Sequence, residues 1–340
     1  MIILSGDIGG TNTRLMLAEF KKTSRSEASF MNQLNILFTH TYHSANHKSL
    51  TDVIKLFLKD AKLKDKLIFS ATFAVAGPIV DGSVQFTNLP WLVKEEELKE
   101  TLKTERVKLI NDFEAIGYGI ETLESKDLCT LQEGKIDNDN LVAVIGAGTG
   151  LGVTFLYQDD KKPRVQPTEG GHADFAPVDD EQVALLQYMR KKLHRVSVER
   201  FVSGPGLVNI YRYVTDNPLY NQKENPELKR SLYLSDNPAA EIANFAHIHG
   251  DPMALRAIDI FVKIYGASAG NLALTTLPKK GLYIVGGMAP KLLSQLSDGR
   301  FINTFCDKGR MNKLVKSIPV HVVLNTDVGI QGATIYASRL

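Results

Sequence analysis

Two turns rich in glycine and small polar residues stand out in the sequence. The first, GDIGGTN, spans residues 6–12, and the second, GAGTGLG, spans residues 146–152. Glycine lacks a side chain and tolerates positive φ, so clustered glycines allow several backbone N–H groups to face one anion at close range. Thr11, Asn12 and Thr149 add hydroxyl or amide donors. Two such turns facing each other could hold the phosphates of one nucleoside triphosphate.

Asp7 adds a carboxylate to the first turn, at the end of a predicted strand. Mg²⁺ usually keeps several of its waters, so Asp7 could hold this ion through water. The natural ligand of the two turns is then a magnesium nucleotide. Each turn by itself could instead be a tight hairpin that needs positive φ and binds nothing. The presence of two turns together with Asp7 favours the nucleotide.

A third pair of glycines, Gly286 and Gly287, follows the apolar run 282–285. The chain would then enter a helix that Pro290 could begin, because proline is favoured in the first helical turn. The bare backbone of the two glycines could admit the flat base of a nucleotide. A strand-to-helix turn without a ligand is an equally good interpretation.

Asn111 and Asp112 follow a predicted strand at residues 107–110 and precede the helical pattern FEAIGYGI. A carboxylate at a strand end facing a cleft can accept the proton of an attacking hydroxyl, as a positioned aspartate does in kinases. On spacing alone, Asn111 or Asp112 could simply cap the helix. Capping by one of them does not exclude catalysis by its neighbour.

Three further polar side chains could hold the hydroxyl groups of an acceptor. In PTEGGHADF, two glycines place Glu169 and His172 on one short turn, and Glu199 in SVERFVSGPG lies beside another glycine-rich turn. A carboxylate and an imidazole three residues apart can hydrogen-bond several hydroxyls. The alternatives are a metal site, for which no third ligand is adjacent, or a structural histidine. Glu199 could also be a solvated acid in a first helical turn.

Short apolar runs and polar helical patterns alternate along the chain. Strands are predicted at residues 2–5, 15–20, 35–42, 67–75, 107–110 and 282–285, with one more on each side of the second glycine turn. Helices are predicted at residues 50–61, 94–102, 113–120, 180–192, 239–248 and 253–274. The segment 216–237, rich in Asn, Pro, Lys and Glu, is predicted to be a surface excursion. This alternation indicates an α/β protein with a mixed sheet.

The two glycine turns belong to an internal repeat. In both places an apolar strand enters the turn and a second apolar strand leaves it, which implies two related half-molecules. Polar runs end the second strands before a helix of about ten residues could form, so both turns are predicted to be hairpins. The Rossmann fingerprint, the Walker A string and the protein-kinase strings are absent from the sequence.

Composition narrows the class of protein. The chain has 340 residues, 44% hydrophobic and 23% charged, which is typical of a globular protein with two domains or one large one. Its formal net charge of +2 is too small to attract nucleic acid or acidic lipid, so neither is an expected partner. Cys129 and Cys306 support neither a disulfide framework nor a zinc knuckle. With no secretory signal or membrane segment in the pattern, a cytoplasmic protein is expected.

Nine motifs follow one another along nearly the whole chain: GDIGGTNTR, AVAGPI, FTNLPW, INDFEA, GAGTGLGV, EGGHADFAP, ERFVSGPGLVNIY, GGMAP and VGIQGA. In this order they resemble the bacterial glucokinase family, ATP-dependent hexose kinases of the sugar kinase, Hsp70 and actin ATPase superfamily. The resemblance implies an α/β, two-domain actin-like ATPase (ribonuclease H-like) fold with an interdomain cleft. The small domain is expected at residues 1–110 and 323–340 and the large domain at residues 111–322. Dimers are common in the family.

The resemblance also implies roles for individual residues. The expected ATP-binding residues are Gly6, Asp7, Ile8, Gly9, Gly10, Thr11, Asn12, Gly148, Thr149 and Gly150 around the phosphates, with Gly286 and Gly287 near the adenosine. Asn111, Asp112, Glu169, His172 and Glu199 match the hexose ligands of the family. Among these, Asp112 corresponds to the general base that deprotonates the 6-hydroxyl of the sugar.

The implied reaction uses ATP and Mg²⁺ to convert glucose to glucose 6-phosphate, the first step of glycolysis. One alternative is a kinase for another hexose or an N-acetylhexosamine, since one misplaced hydroxyl changes no motif. A second alternative is a non-sugar ATPase scaffold or chaperone of the same fold. Glu169, His172 and Glu199 disfavour the second alternative.

Overall fold

The computed structural model describes residues 1–21, 34–62, 67–86, 89–135, 140–158, 163–220 and 223–340. Thr87 and Asn88 of the FTNLPW motif, and residues 221–222 of the predicted surface excursion, lie outside these ranges. The chain forms two compact units. The first unit comprises Met1–Glu124, Val165–Pro167 and Asn325–Leu340, and the second comprises Ser125–Arg164 and Thr168–Leu324. The domain boundaries inferred from the family resemblance stay a prediction.

The regular elements follow the predicted alternation. The strands are β1 (Ile2–Ile8), β2 (Asn12–Phe20), β3 (Leu34–His43), β4 (Ile68–Val75), β5 (Ser83–Gln85), β6 (Leu92–Lys94), β7 (Val107–Asn111), β8 (Leu128–Gln132), β9 (Leu141–Ala147), β10 (Leu151–Tyr157), β11 (Arg164–Thr168), β12 (Leu282–Val285) and β13 (Val320–Val323). The α-helices are α1 (Leu50–Asp60), α2 (Glu95–Leu102), α3 (Asp112–Gly119), α4 (Asp180–Arg190), α5 (Gly204–Asp216), α6 (Pro226–Leu234), α7 (Pro238–His249), α8 (Pro252–Thr276), α9 (Leu293–Ser297), α10 (Arg300–Cys306), α11 (Asn312–Val315) and α12 (Val328–Ser338).

The first unit is built on a mixed five-stranded sheet in the order β3-β2-β1-β4-β7. β2 runs antiparallel to both β1 and β3, whereas β1, β4 and β7 are parallel. The core of this unit includes Phe57, Phe73 and Trp91, each at most 1% exposed. Trp91 donates its indole N–H to the carbonyl of His47 at 3.1 Å, so this tryptophan is a packing residue.

A second sheet has six strands in the order β11-β10-β9-β12-β13-β8, of which β8, β9, β10, β12 and β13 lie wholly in the second unit. β9 is antiparallel to β10 and parallel to β12, and β12 is parallel to β13. The first five positions therefore repeat the strand order of the other sheet, as the internal repeat predicted. The long helix α8, whose buried residues include Phe261 and Tyr265, lies in the core of this unit.

Both glycine turns join antiparallel neighbours, β1 with β2 and β9 with β10, so the predicted hairpins are confirmed. The alternative of a ligand-free hairpin required positive φ, which Gly6, Gly9, Gly148 and Gly150 do not have. Close packing explains Gly6 instead, because an added Cβ would lie 2.7 Å from the ring of Phe73.

The turn after β12 differs from the predicted strand-to-helix junction. Gly286 has φ +90° and lies at a bend, and residues 287–292 form turns rather than a helix. Ala289 N–H donates to Gly286 O at 3.1 Å within these turns. The next helix, α9, begins only at Leu293, so Pro290 does not begin a helix.

Within the described residues, no helix combines the length and the apolar character needed to cross a bilayer.

Candidate functional site

The first glycine turn is closed by its own backbone, with Gly9 N–H donating to Asn12 O at 2.8 Å. Ser44 holds the turn from the end of β3: its backbone N–H donates to Thr11 O at 2.8 Å and its hydroxyl to Gly9 O at 3.0 Å. The backbone amides of Gly10 and Thr11 donate to no other described residue. Two adjacent amides without a protein acceptor suit an anion such as phosphate.

Asp7 lies near the carboxyl end of β1, directly opposite Arg14 on β2. Burial raises the pKa of Asp7, and the positive charge of Arg14 opposes this shift. No described residue donates a hydrogen bond to the Asp7 carboxylate. A bare oxygen ligand of this kind suits Mg²⁺. Among the described residues no group of three His, Cys, Asp or Glu could hold a metal, so such an ion would rely on phosphate oxygens and water.

Arg14 connects the first turn to the N-terminus of α12, and the site residues chosen from the sequence did not include it. Its guanidinium donates to Asp327 Oδ1 at 2.7 Å, and Asp327 N–H donates to Asn325 Oδ1 at 2.9 Å. Asp7 and Arg14 are the same number of residues from the centre of the hairpin, and such residues lie opposite each other on the two strands. The sequence-based prediction of a hairpin could therefore have identified this pair.

Asn111 and Asp112 lie at the same edge of the sheet as the first turn. The register of the parallel strands places Ile8 beside Val75 and Val75 beside Asn111. Neighbouring strands are about 4.8 Å apart, so Asn111 lies roughly 10 Å from the end of β1. The carboxyl edge of parallel strands is where ligands bind in open α/β sheets.

Asn111 is the N-cap of α3: its Oδ1 accepts from the N–H groups of Phe113 at 2.9 Å and Glu114 at 3.3 Å. Asp112 Oδ1 also accepts from Phe113 N–H, at 2.9 Å. Helix capping, left open as an alternative for either residue, is therefore present at Asn111. The cap fixes the backbone from which the Asp112 carboxylate projects.

The second glycine turn is braced by the N-terminus of α5. Gly148 N–H donates to Gly150 O at 2.9 Å within the turn, and Gly204 N–H donates to Gly148 O at 2.8 Å from the helix. The amides of Thr149 and Gly150 donate to no other described residue. The second turn therefore presents a pair of adjacent amides, as the first turn does.

Gly286 lies against the strand that enters the second turn. A Cβ on Gly286 would be 2.5 Å from Ala147 O, and its φ of +90° is a conformation that other residues avoid. Gly287 is exposed, and a Cβ there would meet nothing within 4 Å. Gly286 is thus packed closely against the end of β9, and only Gly287 borders open space.

The structure brings Glu169, His172 and Glu199 together. His172 Nε2 lies 3.7 Å from Glu169 Oε2, and His172 Nδ1 lies 3.8 Å from Glu199 Oε1. These distances are too long for direct hydrogen bonds. A ligand hydroxyl could bridge His172 to either carboxylate, as a bridging water does. The side chains of Glu169, His172 and Glu199 are 79%, 56% and 25% exposed.

A short backbone pairing brings these residues together across the sequence. Asp174 pairs antiparallel with Ser197, and Val198 N–H donates to Ala173 O at 2.9 Å. Gly171 allows the close turn, since a Cβ there would lie 1.9 Å from Leu151 O. Sequence reasoning did not predict this pairing, because each partner segment is too short to show strand periodicity.

Two further residues that support this cluster were not predicted. Arg195 donates from its Nη2 to His172 O at 2.7 Å and pairs with Asp174 at 2.7 Å. Ser203 is the N-cap of α5 and donates its hydroxyl to Glu199 O at 2.7 Å. The sequence Ser-Gly-Pro-Gly carries the signal for Ser203, because Ser at the N-cap with Pro in the first turn is typical of a helix start.

Known proteins resemble the chain along its full length. The glucokinase family model matches residues 4–340. A glucokinase from Nostoc sp. strain PCC 7120 is 41% identical over 351 aligned residues, which cover 100% of this chain and 99% of that protein. The solved glucokinase of an Antarctic psychrotroph gives a TM-score of 0.82 at 31% identity, with 100% and 99% of the two chains covered. The Balamuthia mandrillaris glucokinase, solved in complex with glucose, gives a TM-score of 0.78 at 25% identity, with 99% and 93% covered.

These similarities confirm the α/β, actin-like ATPase fold class and the kinase class that the sequence motifs predicted. Family model, sequence relatives and solved structures agree over the whole chain rather than over one motif. The chain belongs to the glucokinase family, whose members phosphorylate glucose with ATP as the phosphoryl donor.

Proposed function

We propose that the chain transfers the γ-phosphoryl group of MgATP to the 6-hydroxyl of glucose, with Asp112 as the general base. Ile8, Val75 and Asn111 lie side by side on three neighbouring parallel strands. This register, which puts Asp112 and the first glycine turn at the same edge of the sheet, is the observation that carries the proposal. Phosphoryl transfer has a loose transition state, so the protein mainly aligns donor and acceptor and stabilises negative charge.

Each glycine turn offers a pair of amides to phosphate oxygens of ATP. Gly10 and Thr11 in the first turn, and Thr149 and Gly150 in the second, have N–H groups with no acceptor among the described residues. Fixed amide donors stabilise developing charge without having to reorganise during the reaction. Gly286 lets the chain pack closely against β9, and Gly287 leaves room for the adenosine.

Mg²⁺ supplies charge neutralisation on the phosphate oxygens when it is bound. Asp7 fits this ion because its partly buried carboxylate accepts no hydrogen bond from the described residues. A water bridge between Asp7 and the ion agrees with the preference of Mg²⁺ for keeping its waters.

The sugar is held by carboxylate, imidazole and amide groups. Glu169 and Glu199 accept from sugar hydroxyls, and His172 can donate or accept. Asn111 uses its Oδ1 in the helix cap, so its Nδ2 amino group is the part that can donate to a hydroxyl. Asp112 accepts the proton of the 6-hydroxyl as that oxygen attacks the γ-phosphorus.

A coupled assay of ADP release, run with MgATP and a panel of hexoses, tests the proposal. We expect glucose to stimulate ADP release strongly over the rate without sugar. Stimulation by another hexose or an N-acetylhexosamine, but not by glucose, would reassign the substrate and keep the kinase. ADP release that no sugar stimulates would support the ATPase scaffold. A homodimer and a cytoplasmic location stay predictions.

A further inference from the structure

Glu199 contacts more than the cluster that holds the sugar. Its Oε1 lies 3.8 Å from His172 Nδ1, whereas its Oε2 accepts the backbone N–H of Leu151 at 2.9 Å. Leu151 is the first residue of β10, directly after the second glycine turn. The Glu199 carboxylate therefore lies between His172 of the proposed sugar site and the second glycine turn, which belong to the same unit.

The contact between Glu199 and the second turn is close. A Cβ on Gly150 would lie 2.6 Å from Glu199 Oε2, so this carboxylate packs against the bare backbone of the turn. The backbone of Glu199 is itself fixed, because Ser203 donates its hydroxyl to Glu199 O at 2.7 Å. Since Gly204 N–H donates to Gly148 O, the segment 199–204 holds both ends of the turn.

We infer that Glu199 is a positioning residue for the nucleotide as well as a ligand of the sugar. Its Oε2 fixes the second turn in the conformation that presents the amides of Thr149 and Gly150 to phosphate. A hydrogen bond to a charged group is among the stronger ones, so its loss leaves the turn less ordered before nucleotide binds. This inference rests on the proposed function of the turn as a phosphate site.

The test is titration with MgAMPPNP in the absence of any sugar. Glu199→Ala removes the acceptor of the Leu151 N–H, and we expect about tenfold weaker nucleotide binding. Glu199→Gln keeps a carbonyl oxygen for that N–H, and we expect binding within about threefold of the wild type. Glu169→Ala is the matched control: Glu169 is near His172 but not the turn, so nucleotide binding should be unchanged.

Wild-type nucleotide affinity in Glu199→Ala would overturn the inference. If Glu199→Ala does not fold, Glu199→Asp takes its place, because a carboxylate one methylene shorter no longer reaches the Leu151 N–H. In Glu199→Gln, KM for glucose should rise while KM for ATP stays near the wild-type value. Failure of the proposed function is separate, since it would appear as wild-type protein that glucose does not stimulate.

Discussion

Gly332 of α12 lies directly against the backbone of Ala115 in α3. A Cβ on Gly332 would be 1.7 Å from Ala115 O, and a Cβ on Gly119 of α3 would be 2.0 Å from Val328 O. The two helices therefore approach each other through glycines at two points. Because α3 begins at Asp112, this contact fixes the helix that carries the proposed general base.

Gly332→Ala should lower the free energy of unfolding by about 1–3 kcal/mol, the usual cost of overpacking. Gly329→Ala in the same helix is the matched control. A Cβ at Gly329 meets its nearest atoms at 3.7 Å, so this change should stabilise by up to about 1 kcal/mol through helix propensity. Urea denaturation of both variants measures the difference, and equal stabilities would contradict the close helix contact.

Asp112→Asn should lower kcat by about 10²- to 10⁴-fold, the usual effect of removing a general base. The amide oxygen of Asn can still accept from Phe113 N–H, so the fold and the binding of MgAMPPNP should be retained. Asp180→Asn, an exposed acid in the first turn of α4, is a control that should keep wild-type turnover. Wild-type kcat in Asp112→Asn would remove Asp112 from its proposed role.

Asp7→Asn should make the ligand-free protein more stable at pH 7 while raising the Mg²⁺ concentration needed for activity. Burial raises the pKa of Asp7 above its ordinary 3.8, so the folded protein binds more protons than the unfolded chain. Wild-type stability therefore falls as pH rises from about 3.8 through the folded pKa. Because asparagine carries no charge, the Asp7→Asn variant should not lose stability over this pH range.

Thermal unfolding of the wild type and Asp7→Asn across this pH range measures the effect. The gap between the two proteins should widen as pH rises and should narrow toward pH 4. A variant that is less stable than the wild type at pH 7 would contradict the buried-charge interpretation.

His321 on β13 should make the second unit less stable in mild acid. Burial lowers the pKa of His321 below its ordinary 6.5, although Glu133 opposes the shift, and Thr130 Oγ1 lies 3.0 Å from its Nδ1. The unfolded chain then binds more protons below pH 6.5 than the folded protein does, so stability falls as pH drops from 6.5 toward the folded pKa. Denaturant unfolding of His321→Gln should give a free energy of unfolding that depends less on pH in this window. An unchanged pH dependence would show that His321 is not the cause of the acid destabilisation.

Local patterns predicted many of the strands and helices because each carried its own periodicity, but helices α5 and α6 were not predicted. β1, β4, α1 and α8 were predicted with ends within three residues of those observed. The short strands β8, β11 and β13 were not predicted, since four or five residues give little periodic signal. The prediction that Pro290 could begin a helix was wrong, because residues 287–292 form turns and α9 begins only at Leu293.

The sequence predicted which residues belong to the candidate site. It could not predict how they are arranged, because the arrangement depends on contacts between segments that are distant in the sequence. Glu199 was chosen as an acid near glycine, but its hydrogen bond to Leu151 joins residues 48 positions apart. Arg195 and Ser44 support the site through backbone carbonyl groups, which no residue pattern reveals. The roles assigned to the site residues stay predictions until the variants are measured.

The repeated strand order gives each sheet an antiparallel glycine hairpin at the same position, β1 with β2 in one and β9 with β10 in the other. The two hairpins differ at one equivalent position: Asp7 follows Gly6 in the first, whereas Ala147 follows Gly146 in the second. Each sheet packs against a separate hydrophobic core, so the effects on stability of one substitution in each core should add. Under the proposed function the two equivalent hairpins would take different parts: Asp7 of the first would hold the metal ion, and the second would be held in place by the proposed sugar ligand Glu199.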